Sequence, residues 1–132
     1  MKVYTSYFGN LKNLKKHNIV PIGVSRFPPK DFNGPNLISI APTIDLLNSC
    51  KNNHPLYVKR YKNEILRIQG NPEDFVNMLE FISDGKDVAL CCYEKPDEFC
   101  HRHLIAEWLN ETVNMGVEEF KVTEQVKTNP LF

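Results

Sequence analysis

The stretch Asp87-Val88-Ala89-Leu90-Cys91-Cys92-Tyr93 decides the fold of this chain. Its apolar residues follow one another without the alternation of a half-exposed strand, with Gly85 shortly before them and a polar segment, 94–99, after them. A short continuous apolar run of this kind is typical of a strand covered on both faces in a largely parallel sheet. We therefore expect 87–93 to be a central parallel strand.

The rest of the chain alternates between strand and helix patterns around this segment. Strand patterns are followed by helical spacing of apolar residues, and Thr43 and Asn71 stand where helix caps are needed. This order predicts an α/β fold, a single Rossmann-like domain of three layers with a largely parallel central sheet. The expected strands are 2–8, 19–25, 87–93 and 117–126. The expected helices begin at 11 (capped by Asn10), after the cap Thr43, at 72 (ending near 83) and at 100 (ending near 114), and one more is indicated by the helical spacing of Tyr57, Tyr61, Ile65 and Ile68.

Length and composition set the scale of the protein. The 132 residues fit one domain spanning 1–132, with a Pro-rich loop at 26–42 and a short C-terminal tail at 127–132. Sixteen Lys and Arg balance sixteen Asp and Glu, so the net charge is zero. Nothing therefore draws the whole molecule to a polyanion, and any anion must be bound by a local site.

Location and redox state follow from what the sequence lacks and from how its cysteines cluster. The first ten residues contain no signal-like apolar run and no segment has the length of a membrane span, so we expect a cytoplasmic protein without membrane contact. Cys91, Cys92 and Cys100 lie within ten residues of one another, unlike the dispersed cysteines of small secreted proteins. This clustering predicts reduced thiols that belong to one site.

The expected site lies between Cys92 and Arg102, where the central strand ends and the next helix begins. Ligands of open α/β sheets bind at this edge, and the first N–H groups of a helix attract anions. Arg102 could bind such an anion by two hydrogen bonds. If the strand before Arg26 lies parallel and next to the central strand, Arg26 reaches the same edge. Arg26 and Arg102 are therefore the predicted ligand-binding residues, although Arg26 could instead be a surface arginine in an ordinary salt bridge.

The predicted catalytic residues are Cys92, Glu94, Cys100 and His101. Cys100 stands at the helix start, where the dipole favours the thiolate, which makes it the better nucleophile. Strand alternation puts Cys91 and Cys92 on opposite faces, and both could simply pack as small apolar side chains. Glu94 could act as a general base or accept a hydrogen bond from a substrate amino group, but a loop carboxylate is also commonly solvated.

Helix geometry gives the neighbouring residues different directions. His101 falls on the apolar side formed by Leu104, Ile105, Trp108 and Thr112, so we expect it to face the sheet, either as a catalytic group or as a brace for the cysteine loop. His103 points away, toward the surface. Because successive residues lie about 100° apart, Arg102 should turn toward the rim and a bound anion.

Two other chemistries are not supported by the spacing. The run from Cys92 to Cys100-His101 lacks the close cysteine pair of structural zinc sites, so we predict no metal site. A phosphatase-like or rhodanese-like loop needs an arginine six residues after its cysteine. The positions six residues after Cys91, Cys92 and Cys100 hold Asp97, Glu98 and Ala106.

Several pieces of the sequence together form a known pattern. They are Val3-Tyr4-Thr5-Ser6-Tyr7-Phe8-Gly9, Ser25-Arg26-Phe27-Pro28-Pro29, Gly34, Ala41-Pro42, Tyr61 with Ile65-Leu66, and Leu90-Cys91-Cys92-Tyr93-Glu94-Lys95 with Cys100-His101-Arg102. In these pieces the chain resembles the domain-of-unknown-function 488 family of bacteria, archaea and phages. The resemblance covers nearly the whole chain, and its Cys-Tyr-Glu and Cys-His-Arg elements are specific.

The resemblance implies a Rossmann-like α/β fold and places the family pattern on Cys92, Glu94 and 100–102. Many members have Asp-Val-Arg where this chain has Val24-Ser25-Arg26, so only the arginine carries over. The family's paired cysteines favour an enzyme, but no settled reaction comes with the name. We therefore expect a cysteine-dependent enzyme acting on an anionic ligand such as a nucleotide or nucleic-acid component. A non-catalytic anion-binding module and a protein-interaction adaptor are the alternatives, and the sequence indicates neither a cofactor nor an oligomeric state.

Overall fold

A computed structural model describes residues 1–121, and its strands and helices alternate as the sequence predicts. The helix His54–Tyr61 continues into a π-helical segment, Lys62–Leu66, and a 3₁₀ turn, Arg67–Gln69. The elements are β1 (Val3–Tyr7), α1 (Leu11–Lys16), β2 (Val20–Gly23), α2 (Ile44–Ser49), α3 (His54–Tyr61), α4 (Pro72–Ser83), β3 (Val88–Cys92), α5 (His101–Val113) and β4 (Glu118–Glu119).

All four strands run parallel in one sheet of order β2-β3-β1-β4. β3 is buried along its whole length and pairs with β2 on one side and β1 on the other, which confirms its central position. Of the predicted last strand, 117–126, only β4 is seen. Its part beyond 121 and the predicted tail at 127–132 lie outside the described residues.

Helices cover both faces of the sheet, so the three-layer α/β architecture is confirmed. Leu90 and Cys92 belong to the larger core cluster, which is completed by side chains of α3, α4 and α5. Ala89 and Cys91 pack on the other face with Leu14 of α1. The predicted alternation of β3 is therefore correct. None of the helices within residues 1–121 has the length and apolar character that crossing a membrane requires.

Helix caps follow the sequence in two places and depart from it in one. Thr43 Oγ1 accepts the Leu46 N–H at 3.1 Å, and Asn71 Oδ1 accepts the Glu73 N–H at 2.9 Å, as expected for caps. Asn10 caps no backbone N–H. Its amide instead donates to Ser6 Oγ at 3.1 Å and accepts from Asn13 Nδ2 at 2.7 Å, because Ser6 lies within its reach at the end of β1.

The apolar side of α5 is shifted from the predicted one. His101, Leu104 and Ile105 are buried as expected, but Leu109 completes the buried face and Thr112 is exposed. The Thr112 hydroxyl donates to the Trp108 carbonyl one turn back, at 2.6 Å. α5 therefore meets the sheet mainly through its first three turns.

The Pro-rich loop between β2 and α2 is fastened to the edge of the sheet. The Gly23 N–H donates to the Pro35 carbonyl and the Leu37 N–H donates to the Gly23 carbonyl, both at 2.8 Å. Asn36 Nδ2 adds a hydrogen bond to the Ser25 carbonyl at 2.9 Å. The Asn36 side chain lies directly over the Gly23 Cα, so this close approach requires glycine.

Candidate functional site

A cleft of about 190 Å³ opens at the carboxyl ends of β2 and β3. The parallel register of these strands brings the chain after Gly23 and the chain after Cys92 to the same edge, as predicted. Arg26, Glu94, Cys100 and His101 all line the cleft, together with side chains from α2 and α3. Of the predicted site residues, these four are therefore brought together, whereas Cys92 and Arg102 lie behind the cleft wall.

Cys92 and Cys100 are joined by a disulfide bond. The prediction of reduced thiols is therefore wrong for this pair, while Cys50 and Cys91 are free and buried. The reason is geometric: the segment after β3 folds back, so that the start of α5 stands against the end of the strand. Sequence spacing alone did not show this approach. Burial raises the pKa of Cys91 to about 12, so its thiol is inert at neutral pH.

His101 faces the sheet, as its helix position predicts. Its Nε2 lies 2.6 Å from the Val24 carbonyl oxygen, which only accepts, so Nε2 donates and carries the proton. Nδ1 lies 3.8 Å from Cys100 Sγ. Burial lowers the pKa of His101 to about 4, and the positive charge of Arg102 acts in the same direction. The imidazole is therefore neutral at neutral pH and ties α5 to the end of β2.

Arg102 does not turn toward the rim, so its predicted direction is wrong. The side chain is fully buried and donates from Nε to Glu119 Oε1 at 3.2 Å and from Nη2 to Glu119 Oε2 at 3.0 Å. Nη1 donates to the Glu94 carbonyl at 2.6 Å and lies 2.9 Å from Cys92 Sγ. A carboxylate on β4 turns the guanidinium inward, and no partner for it was visible in the sequence.

Arg26 is the cation that faces the cleft. Its Nε donates to the Pro42 carbonyl at 3.0 Å, which fixes the side chain. Within residues 1–121, Nη1 and Nη2 have no hydrogen-bond partner and no carboxylate in salt-bridge range. Glu94 is exposed at the same cleft, while its backbone carbonyl is held by Arg102. Arg26 therefore offers the N–H groups of its two Nη nitrogens to an incoming anion.

Four aromatic rings that the sequence analysis did not assign to the site line the same cleft. They are Phe27, Tyr57, Tyr93 and Phe99. The Tyr93 hydroxyl donates to the Phe27 carbonyl at 2.6 Å and so joins the two loops at the mouth. Phe99 packs edge-on against Tyr57, with ring centroids 5.0 Å apart. Phe27 and Phe99 directly adjoin the predicted site residues Arg26 and Cys100 and could have been suspected, whereas nothing local singles out Tyr57.

His103, expected at the surface, is half-buried. Its Nε2 has no hydrogen-bond partner within residues 1–121. Burial lowers the pKa of His103, and the positive charge of Arg102 adds to this effect. His103 does not line the cleft and is not a candidate for its chemistry.

Cys92, Cys100 and His101 are also the group within residues 1–121 whose donor atoms could hold a metal ion. These atoms lie within 4.8 Å of one another, and the Val24 carbonyl fixes the tautomer that leaves Nδ1 free to bind a metal. A metal binds thiolates, so the group becomes a set of soft ligands only after the disulfide is reduced.

Comparison with known proteins gives one result that covers most of the chain. A family model described as "Active DUF488-N3 subclade" matches residues 6–113, which run from the end of β1 through α5 and include every predicted site residue. Searches of curated proteins and of solved structures find no match. The match extends over well more than half of the sequence, and we conclude that the chain belongs to the DUF488 family, in the subclade DUF488-N3a.

Proposed function

We propose that this protein binds a small anion carrying a flat ring, such as a nucleotide or nucleic-acid component, in the cleft at Arg26, and acts on it as a cysteine-dependent enzyme. The observation that carries the proposal is the state of Arg26, whose Nη groups face a cleft lined by aromatic rings and have no partner within residues 1–121. Guanidinium groups bind phosphate and carboxylate through two parallel hydrogen bonds.

The aromatic lining favours a ligand with a ring. Stacking of a base on an aromatic side chain is worth about 1–3 kcal/mol. Glu94, at the same cleft, could accept a hydrogen bond from an exocyclic amino group of such a base. The cleft volume of about 190 Å³ is below the roughly 300–1,000 Å³ of pockets that enclose drug-sized ligands. A mononucleotide would therefore place one part in the cleft and leave another part at its open mouth.

Cysteine chemistry in this cleft requires the disulfide to be reduced. Cys100 then becomes the cleft-facing thiol at the start of α5, where the helix dipole favours its thiolate. His101 is a poor base for it, because its pKa is lowered to about 4. Moving a proton to it from a thiol of pKa ~8.5 would cost on the order of 6 kcal/mol. His101 therefore orients Cys100, and Glu94 is left as the acid/base group at the cleft.

One observation favours the alternative of a binding module. With Cys92 and Cys100 bonded, no free thiol lines the cleft, since the remaining cysteines, Cys50 and Cys91, are buried elsewhere. In the oxidised state the cleft can bind an anion but has no cysteine nucleophile. The two functions therefore differ in the reduced protein: the enzyme has a reactive Cys100 thiol, whereas the binding module only binds the anion.

Calorimetric titration with nucleoside monophosphates and with inorganic phosphate tests the anion site. Arg26→Ala should weaken binding at least about tenfold, which corresponds to the lower end of a charge-assisted hydrogen bond. The matched control is Arg67→Ala, because Arg67 is an exposed arginine outside the cleft whose side chain, among residues 1–121, bonds only to Asn63. Equal affinity in both variants would exclude Arg26 as the anion contact.

The enzyme and the binding module are separated by a labelling experiment. After reduction, iodoacetamide at pH 6 should modify Cys100 faster than it modifies a free thiol, and a bound nucleotide should slow the reaction. If Cys100 reacts no faster than a free thiol, the cysteine mechanism loses its basis and the binding module remains.

A further inference from the structure

We propose that the Cys92–Cys100 disulfide is a thiol–disulfide exchange centre whose substrate is a low-molecular-weight thiol entering through the cleft. Cys100 is the sulfur attacked, and Cys92 is the leaving sulfur. This activity needs no anion at Arg26, although it uses the same Cys92–Cys100 pair that the proposed enzyme needs in its reduced form.

The two sulfurs differ in access. Cys100 lines the cleft, although only 4% of the residue is exposed. Cys92 ends the central strand, is 1% exposed and does not line the cleft. Exchange requires a thiolate to reach one sulfur of the bond, so access from solvent directs the attack to Cys100.

The two sulfurs also differ in what would stabilise a negative charge on them. Arg102 Nη1 lies 2.9 Å from Cys92 Sγ, inside the protein, where a charge is weakly screened. Glu119 binds the guanidinium through Nε and Nη2, which leaves Nη1 directed at the sulfur and at the Glu94 carbonyl. Cys100 has only the partial positive charge at the start of α5, and its neighbour His101 Nδ1 carries no hydrogen, because Nε2 donates to the Val24 carbonyl. A thiol whose thiolate is stabilised leaves faster, so the bond should break toward Cys92.

The reaction is balanced by two molecules of the thiol, RSH. The first thiolate forms a bond to Cys100 Sγ while the Cys92–Cys100 bond breaks and its electron pair goes to Cys92 Sγ. The product is a mixed disulfide between Cys100 and R. A second thiolate attacks the sulfur of R, releasing RSSR and the Cys100 thiolate. The protein disulfide gains two electrons, two thiols are oxidised to one disulfide, and their protons go to the protein thiolates or to solvent.

Run in reverse, the same steps reduce a small disulfide. Cys100 attacks it from the cleft, and Cys92 then resolves the mixed disulfide. The order of events predicts that a mixed disulfide forms at Cys100 and never at Cys92 in the folded protein.

The test uses single-cysteine variants of the pair and oxidised glutathione as the probe. In Cys92→Ser, Cys100 should form a glutathione adduct, found by mass spectrometry of the intact protein and placed by peptide mapping. In Cys100→Ser, Cys92 should react at least tenfold more slowly, and in urea it should react as readily as Cys100. Equal rates in the two folded variants, or adducts at neither site, would overturn the assignment.

The wild-type protein provides the second arm. Dithiothreitol should reduce its disulfide without denaturant, and the reduced protein should recover the bond in oxidised glutathione. A bond that is reduced only in urea would be a structural disulfide, and the proposal would be wrong. Arg102→Lys, which keeps a positive charge but not the guanidinium, should reduce more slowly than the wild type, with circular dichroism as the check of folding.

These measurements contain no nucleotide, and the titrations at Arg26 contain no thiol. A failure of the exchange activity therefore appears separately from a failure of nucleotide binding.

Discussion

Arg102 and Glu119 form an ion pair with two hydrogen bonds inside the protein, between side chains whose exposed fractions are 0% and 11%. Glu119 Oε1 also accepts the Thr5 hydroxyl at 2.6 Å, so the pair connects α5 with both β4 and β1. The remaining nitrogen of Arg102 holds the chain after β3. One guanidinium, with its carboxylate partner, therefore joins α5, β4, β1 and the chain after β3.

We expect Arg102→Ala to destabilise the protein by about 3–5 kcal/mol, because it leaves the Glu119 carboxylate buried without its partner. Urea unfolding measures this loss. The matched control is Arg60→Ala, which also removes an arginine paired with carboxylates, here Asp45 and Glu64. Since the side chains of Arg60, Asp45 and Glu64 are 23%, 74% and 38% exposed, the control should lose about 1 kcal/mol or less. Similar losses of unfolding free energy in both variants would show that burial of the Arg102–Glu119 pair does not increase its contribution to stability.

Leu90→Asp tests the central position of β3. Leu90 is fully buried between β2 and β1, so the variant would place a carboxylate in the core without a partner. The expected loss of stability is several kcal/mol, seen as insoluble protein or as the absence of a cooperative melting transition. Lys86→Asp, in the exposed turn before β3, is the control and should fold normally. A soluble Leu90→Asp protein with the native melting temperature would contradict the buried position.

The stability of the protein should fall as the pH drops from about 6.5 to about 4. Burial lowers the pKa of His101 from 6.5 to about 4, so in this interval the unfolded chain binds a proton that the folded protein does not. The contribution is fully present above pH 6.5 and is lost on acidification, by about 3 kcal/mol in total. Urea unfolding at a series of pH values measures the slope.

His103 contributes with the same sign, because burial also lowers its pKa. The two histidines are separated by variants. His103→Gln should keep most of the pH dependence, whereas His101→Gln should remove most of it while its amide can still donate to the Val24 carbonyl. If His101→Gln keeps the full slope, the buried imidazole is not its source.

Much of the fold could be predicted because its determinants are local. The apolar run of β3 and the caps at Thr43 and Asn71 each act within a few residues, and the structure confirms them. Where a partner in another element determines the local structure, the sequence-based prediction was wrong. Asn10 bonds to Ser6 on the preceding strand instead of capping α1, and the buried face of α5 is set by its packing on the sheet.

The candidate site shows the same division. Arg26 and Cys100 were expected at one edge on the condition that β2 lies parallel and next to β3, and the structure shows that pairing. The direction of the Arg102 side chain could not be predicted, because its partner Glu119 lies 17 residues away on a strand of two residues. The Cys92–Cys100 bond likewise depends on how the segment between them folds back, which no periodicity encodes.

Gly23→Ala tests whether the edge of β2 shapes the cleft. A Cβ on Gly23 would meet the Asn36 amide oxygen and lie 3.2 Å from the Phe32 ring, so these two side chains of the Pro-rich loop must shift away. That shift strains the two 2.8 Å backbone hydrogen bonds of Gly23 and displaces the segment that leads to Arg26. We expect a stability loss of about 1–3 kcal/mol, as for overpacking, together with weaker anion binding.

The control for this prediction removes the amide of Asn36, because a Cβ on Gly23 would lie closer to this amide than to the Phe32 ring. Asn36→Ala loses the hydrogen bond to the Ser25 carbonyl, at a cost of about 1 kcal/mol, but it clears the space above Gly23. In the Asn36→Ala background, Gly23→Ala should therefore cost less than in the wild type, since the Asn36 contact is gone and only the Phe32 ring remains. A double-mutant cycle of unfolding free energies measures this coupling. Strictly additive losses would mean that Gly23 and Asn36 do not compete for the same space and that the loop is held by other contacts.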